Sequence, residues 1–132
     1  MINLLIDPKD HIKIDLFVAL DNSNKIIVSY DKENIIKEKE GLSPDAIARY
    51  EFVFRRPNYK DNMIVISKSV TSDGEKTNID GAILRYERFC ELIVSWTITD
   101  PEGKAVPCNR SNVGKLNPTL ADAVISRFEE LI

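Results

Sequence analysis

With 132 residues, 43% of them hydrophobic and 30% charged, the chain has the length and composition of one globular domain with a real core. It lies outside the range of disordered chains. Its formal charge of −3 comes from 18 basic and 21 acidic residues, and the signs are interspersed, so the clustered cationic face of a dedicated nucleic-acid binder is not expected.

No apolar run approaches the roughly 20 residues that span a bilayer. The opening MINLLIDPKD carries a short apolar patch but neither the basic leader nor the small-residue cleavage site of a signal peptide. The two cysteines, Cys90 and Cys108, are too few for a disulfide framework and are not spaced as a metal knuckle. Free thiols point to a reducing compartment.

From the N-terminus, residues 11–20 (HIKIDLFVAL) alternate, with Ile12, Ile14, Leu16 and Val18 on one side and Lys13 and Asp15 on the other. Residues 21–25 (DNSNK) are turn chemistry, because Asn and Asp bond locally to backbone and tolerate left-handed geometry. Residues 25–30 (KIIVSY) supply the second half of a β-hairpin. Residues 31–42 read as a surface loop or strand edge around Ile35 and Ile36. Ser43-Pro44 is a signal for a brief helix. A strand over 50–56 closed by Pro57 and another over 63–70 (MIVISKSV) follow, and 71–78 reads as a loop containing Gly74.

The period then changes. Ile79, Ala82, Ile83, Tyr86, Phe89, Cys90, Ile93 and Trp96 step by three and four, which predicts a helix of about five turns. Thr77 and Asp80 resemble a capping box at its start, and Arg85, Glu87, Arg88 and Glu91 fall on its other face. Asp100-Pro101 ends this element, with Gly103 available for a positive φ. The last helix opens on Asn117-Pro118 and carries Leu120, Val124, Phe128 and Leu131 as its apolar stripe, with Leu116 placed to staple against Ala121. The expectation is therefore an α+β fold: N-terminal antiparallel strands, a hairpin plus further strands, followed by a C-terminal helical pair. The 132 residues read as a single domain, β-rich over 1–72 and helical over 77–132.

Candidate chemistry is sparse. His11 is the single histidine, and a metal site needs three or four converging ligands, so it reads as a surface residue. A cysteine nucleophile would need a base beside it, and His11 is remote in sequence from both thiols. The acid pairs Asp73/Glu75, Asp100/Glu102 and Glu129/Glu130 fall in turns or at a helix end, where solvated charge is the default. Glu129 and Glu130 sit where the macrodipole disfavours them, a hint of a partner there. No catalytic, metal or cofactor residue is assigned, and no cofactor is expected. The residues named for partner binding are Trp96, Phe128, Tyr59 and Arg56, because aromatic and Arg side chains at element ends anchor interfaces. For Trp96, and for the 55–60 run that holds Arg56 and Tyr59, a structural role is the stronger reading.

The run FRRPNYKDNM, a helix leading to Trp96, the turn ITDPEGKAVP and then SNVGKLNPTLADAVISRFEEL together resemble the small tail assembly chaperones of long-tailed bacteriophages. The residues that carry the resemblance are Arg56, Pro57, Tyr59, Lys60, Asp61, Trp96, Asp100, Gly103, Pro107, Leu116 and Pro118. It covers about residues 54–132 and leaves the N-terminal part unmatched. It implies a non-enzymatic factor in the host cytoplasm that holds the tape-measure protein soluble until tail-tube subunits polymerise around it. The partners implied are the tape-measure protein and the tail-tube protein, with no nucleic acid and no membrane; self-association is left open. The competing readings are a structural virion protein of the tail or neck (tube, terminator or connector) and a small cellular enzyme or binding module.

Overall fold

The computed structural model describes residues 1–38 and 46–132. The elements in chain order are β1 (His11–Leu20), β2 (Ile26–Ser29), α1 (Lys32–Glu38), β3 (Ala48–Arg55), α2 (Tyr59–Lys68), β4 (Val70–Asp73), β5 (Lys76–Ile79), α3 (Gly81–Leu92), β6 (Ile93–Trp96), α4 (Arg110–Val113) and α5 (Pro118–Leu131). Four strands form an antiparallel sheet in the order β2-β1-β3-β6, and β4 and β5 form a separate two-stranded hairpin. The α+β class and the C-terminal helices are as the sequence leads one to expect.

Register explains which face of the sheet is covered. Ile12 lies opposite Phe54, Ile14 opposite Phe52 and Leu16 opposite Tyr50, so the apolar residues of β1 and β3 share one face. Asp15 opposite Glu51 and Phe17 opposite Arg49 fall on the other face, where Arg49 Nη2 meets Asp15 Oδ1 at 2.8 Å. Phe89 and Leu92 from α3, and Val124, Ile125 and Phe128 from α5, join the first face in one core. Phe54 is its hub: its ring stacks on Phe128 at 4.3 Å between centroids and meets Phe89 edge-on at 5.2 Å.

The β1–β2 hairpin forms as its turn residues require. Asp21 Oδ1 accepts the Ser23 and Lys25 N–H groups at 2.7 and 2.9 Å, and Asn24 adopts φ 61°. Asn117 caps α5, its side chain accepting the Thr119 N–H at 2.9 Å with Pro118 in the first turn. The buried stripe of α5 runs through Val124, Ile125 and Phe128, while Leu131 is exposed.

Three expectations fail to local contacts. Residues 32–38 form α1 rather than a loop or strand edge; Asp31 Oδ1 accepts the Glu33 N–H at 3.0 Å, and Ile35 is fully buried. The helix start read at Ser43-Pro44 lies outside the described residues. Residues 63–70 are not a strand, since most of them belong to α2. Asn58 and Asp61 form a reciprocal capping box there, and this outweighs the β-branched run Ile64-Val65-Ile66. Residues 71–78 are not a loop but most of the β4–β5 hairpin, turning through Gly74 at φ 64°.

The predicted five-turn helix stops after Leu92. Asp80 caps its start by accepting the Ala82 and Ile83 N–H groups, and Ile79 belongs to β5. Ile93 takes extended backbone, and the chain pairs with β3: Phe54 with Ile93, Val53 with Ser95, Phe52 with Trp96. Trp96 therefore sits on a strand, not at a helix end. Stiff β-branched residues at 93 and 94 and the free edge of β3 favour that exchange of helix for sheet. Strands and helices consequently interleave across the expected 72/77 division, with α1 and α2 before it and β5 and β6 after it.

Phe128 has no exposed surface and is sandwiched into the hub. Truncating it removes a ring that the sheet cannot collapse to replace. Phe128→Ala should lower unfolding free energy by roughly 3–5 kcal/mol, measured by denaturant titration. A loss under about 1 kcal/mol would show that α5 is not anchored through this ring.

Candidate partner-binding surfaces

The four residues singled out from sequence do not converge. Phe128 is fully buried, so it cannot contact a partner on the folded surface; its role is the core. Trp96 is half-buried, meets Phe52 edge-on at 6.2 Å and donates its Nε1–H to the Val106 carbonyl at 2.7 Å. That bond ties the β6 edge to the 97–107 turn, so the indole is chiefly structural. Arg56 is a clasp: its Nε donates to Asp10 Oδ2 at 2.9 Å and its N–H to the Asp10 carbonyl at 2.9 Å. Tyr59 alone is open, 82% exposed at the first position of α2.

The Arg55–Asp61 junction is the best-determined polar cluster. Asp61 is nearly buried and takes the Asn58 N–H at 3.0 Å together with Arg55 Nη1, while Arg55 Nη2 reaches the Glu91 carbonyl at 3.2 Å. One guanidinium thus joins the end of β3, the start of α2 and the last turn of α3. Burial pushes the Asp61 carboxyl up, but the Asn58 N–H and the Arg55 guanidinium outweigh it and hold it below the ordinary carboxylate value.

A groove of about 210 Å³ lies between α3, α4 and α5. Phe89, Val113 and Ile125 line it with apolar surface, and Ala82 and Ala121 keep its walls low. Arg85, Tyr86 and Asp122 complete the lining. Arg85 bridges the helices: its Nε meets Glu129 Oε1 at 3.2 Å, one Nη donates to Ser126 Oγ at 2.7 Å, and the other lies 3.6 Å from Asp122 Oδ1. Arg88 adds a 2.8 Å contact to Glu129 Oε2. Glu129 is thereby satisfied within the fold by two cations of α3, and Glu130 pairs with Arg127 at 3.0 Å. The acidic end of α5 therefore does not by itself call for a partner. The sequence signal for this bridge was present: two arginines spaced i, i+3 on α3, and an acid at the helix end that the macrodipole disfavours.

Beside the groove, Arg110 forks onto Glu87 at 3.0 and 2.7 Å and lies 5.7 Å from the Tyr86 ring centre. The Arg110 bonds hold Glu87 below the ordinary carboxylate value against an opposing burial effect. Burial raises both thiols, Cys90 and Cys108, so each is kept protonated near neutral pH. His11 is exposed at the head of β1. Among the described residues, no group of three or more His, Cys, Asp or Glu side chains is placed to hold a metal ion, and no helix is long and apolar enough to cross a membrane. Comparison with family models, with curated proteins and with solved structures finds no match.

Because the folded Asp61 carboxyl titrates below its unfolded value near 4, its stabilising contribution is complete above that pH. It is lost as pH falls through the folded value. Asp61→Asn should cost about 1–3 kcal/mol at pH 7, with Arg55 left without its charge partner. The gap between wild type and variant should shrink on acidification, as followed by urea titrations at neutral and acid pH. A gap that stays constant between those conditions would remove the ion pair as its cause.

Proposed function

We propose that this chain is a non-enzymatic tail assembly chaperone of a long-tailed bacteriophage. It would keep part of the tape-measure protein soluble in the host cytoplasm until tail-tube subunits assemble around it. The observation that carries this reading is the α3–α4–α5 groove. Its apolar floor lies beside a cation, Arg85, and an exposed anion, Asp122. Helix-in-groove recognition needs such a surface: an apolar stripe on the client fills the floor, and flanking charges set its direction.

The resemblance to the tail chaperones adds the client's identity. Its order of features is kept in part: Pro57 before a capped helix, the Asp100–Gly103 turn, and a helix opening at Pro118. The Asp100 carboxylate accepts the Glu102 and Lys104 N–H groups, both at 2.9 Å, and so fixes that turn. The departure is at Trp96, which the family pattern places at a helix end and which here lies on β6. The ionisable side chains around the groove are engaged in bonds that join elements, as expected of a surface that presents shape. A structural tail or neck protein is the second reading. It is favoured by the exposed apolar residues at the N-terminus, and the chain's presence in purified particles would support it.

The test is co-expression of the cognate tape-measure protein with wild type and with Ala82→Glu. Ala82 is exposed at the groove wall in the first turn of α3, where an acidic side chain suits the helix end. The variant should fold normally and lower the soluble client yield roughly tenfold, equivalent to about 1.4 kcal/mol of binding. Unchanged client solubility would exclude the groove as the contact. Trp96→Ala in the same assay, folded and with client solubility unchanged, would assign the indole wholly to the fold.

A further inference from the structure

Residues 1–6 belong to no helix or strand, yet five of the six are large and apolar. Met1, Ile2, Leu4, Leu5 and Ile6 are 126, 84, 87, 81 and 40% exposed. Together they offer on the order of 700 Å² of apolar surface, above the largest patch on an ordinary monomer, about 300–600 Å². That area is close to the roughly 800 Å² that each partner contributes to a stable interface.

The base of this arm is fixed. Asp10 donates its N–H to the Asp7 carbonyl at 2.9 Å and is clasped by Arg56 through both side chain and backbone. Beyond that base, Leu4, Leu5 and Ile6 line an open cleft with Asn58, Tyr59 and Lys60. Its one side-chain bond among the described residues, from the Leu5 N–H to Asn3 Oδ1 at 3.0 Å, is exposed, so releasing it costs little net. In extended form the arm places Ile2, Leu4 and Ile6 on one side and Met1 and Leu5 on the other, a strand apolar on both faces.

The same chain offers a complementary seat. β6 is an edge of the four-stranded sheet, paired with β3 along one side with a register shift beside the exposed Val94. Just past its end the Ile98 carbonyl accepts the Val106 N–H, so the seat is the stretch 93–95. An edge strand presents unpaired N–H and C=O groups that template a further strand. Its first residue, Ile93, pairs with Phe54 close to the end of β3 at which Arg56 holds the arm's base.

We infer that residues 1–6 form a self-association strand that adds to the β6 edge of a second copy, exchanged reciprocally in a two-fold dimer. Both halves of the contact lie on one chain, and the arm together with the edge it would cover approaches the area that one side of a stable dimer requires. An exchange of this kind is isologous and closes on itself. It is independent of what the α3–α5 groove binds.

Sedimentation equilibrium of the full chain tests it, up to about 100 μM, where even a micromolar dimer is well populated. Wild type should be dimeric. Leu4→Asp/Leu5→Asp, and separately Val94→Lys, should each weaken association at least about a hundredfold, with circular dichroism spectra and melting unchanged, because all three side chains are exposed. Leu5→Ser offers a milder arm variant, expected to weaken the dimer in the same direction. A monomeric wild type would overturn the inference, and so would open-ended polymers. A dimer that survives the arm substitutions, or one indifferent to Val94→Lys, would equally do so.

Discussion

The placement of α3 and α5, and of the groove between them, depends on the ring of Phe54. It lies on the covered face of the sheet, opposite Ile12 on one side and Ile93 on the other. α5 is seated on it through Phe128 and α3 through Phe89. Stacked and edge-on contacts of this kind contribute about 0.5–1.5 kcal/mol each beyond the area they bury. More important here is their geometry. The two helices meet one central ring, one stacked and one edge-on, and the groove lies between them.

The polar residues then keep that space open. Arg85 and Arg88 reach from α3 to Glu129 on α5, and Arg85 also binds Ser126. These bridges fix the separation of the helices while the small Ala82 and Ala121 keep the walls low. At the far end of α3, Arg55 donates to the Glu91 carbonyl and the Asp61 carboxylate, so the helix is tied to α5 along one stretch and to β3 at its end. Surface ion pairs of this exposure are individually weak. Their value here lies in position: they bridge α3 and α5 on either side of the space that Phe89, Val113 and Ile125 line.

Much of this architecture was legible from the residues, and the failures share one cause. Alternation in β1 from Ile12 to Leu16, turn chemistry at Asp21–Asn24 and the Asn117-Pro118 start of α5 are local patterns that appear as read. Beyond Leu16 the alternation breaks, and Ala19 rather than Val18 is buried. The strand expected at 63–70 became a helix because Asn58 and Asp61 cap it, a pair visible in sequence but overshadowed by three β-branched residues. The long helix to Trp96 was cut short because β3 had an edge to fill, which no local period reveals. The groove was invisible for the same reason: its lining comes from three elements separated by up to about forty residues. Of the four residues named for partner binding, Phe128 and Trp96 are large aromatic rings, and their apolar bulk favours the interior. Arg56 is taken up by Asp10, and Tyr59 alone remains free at the surface.

The account rests on the α3–α5 groove as the surface that meets another polypeptide. Hydrogen–deuterium exchange of the full chain, with and without a soluble fragment of the tape-measure protein, addresses this most directly. The account predicts new protection confined to residues 82–89 and 121–125, with the charged face around Asp15 and Arg49 unchanged. Protection on that charged face with none along the groove would contradict it.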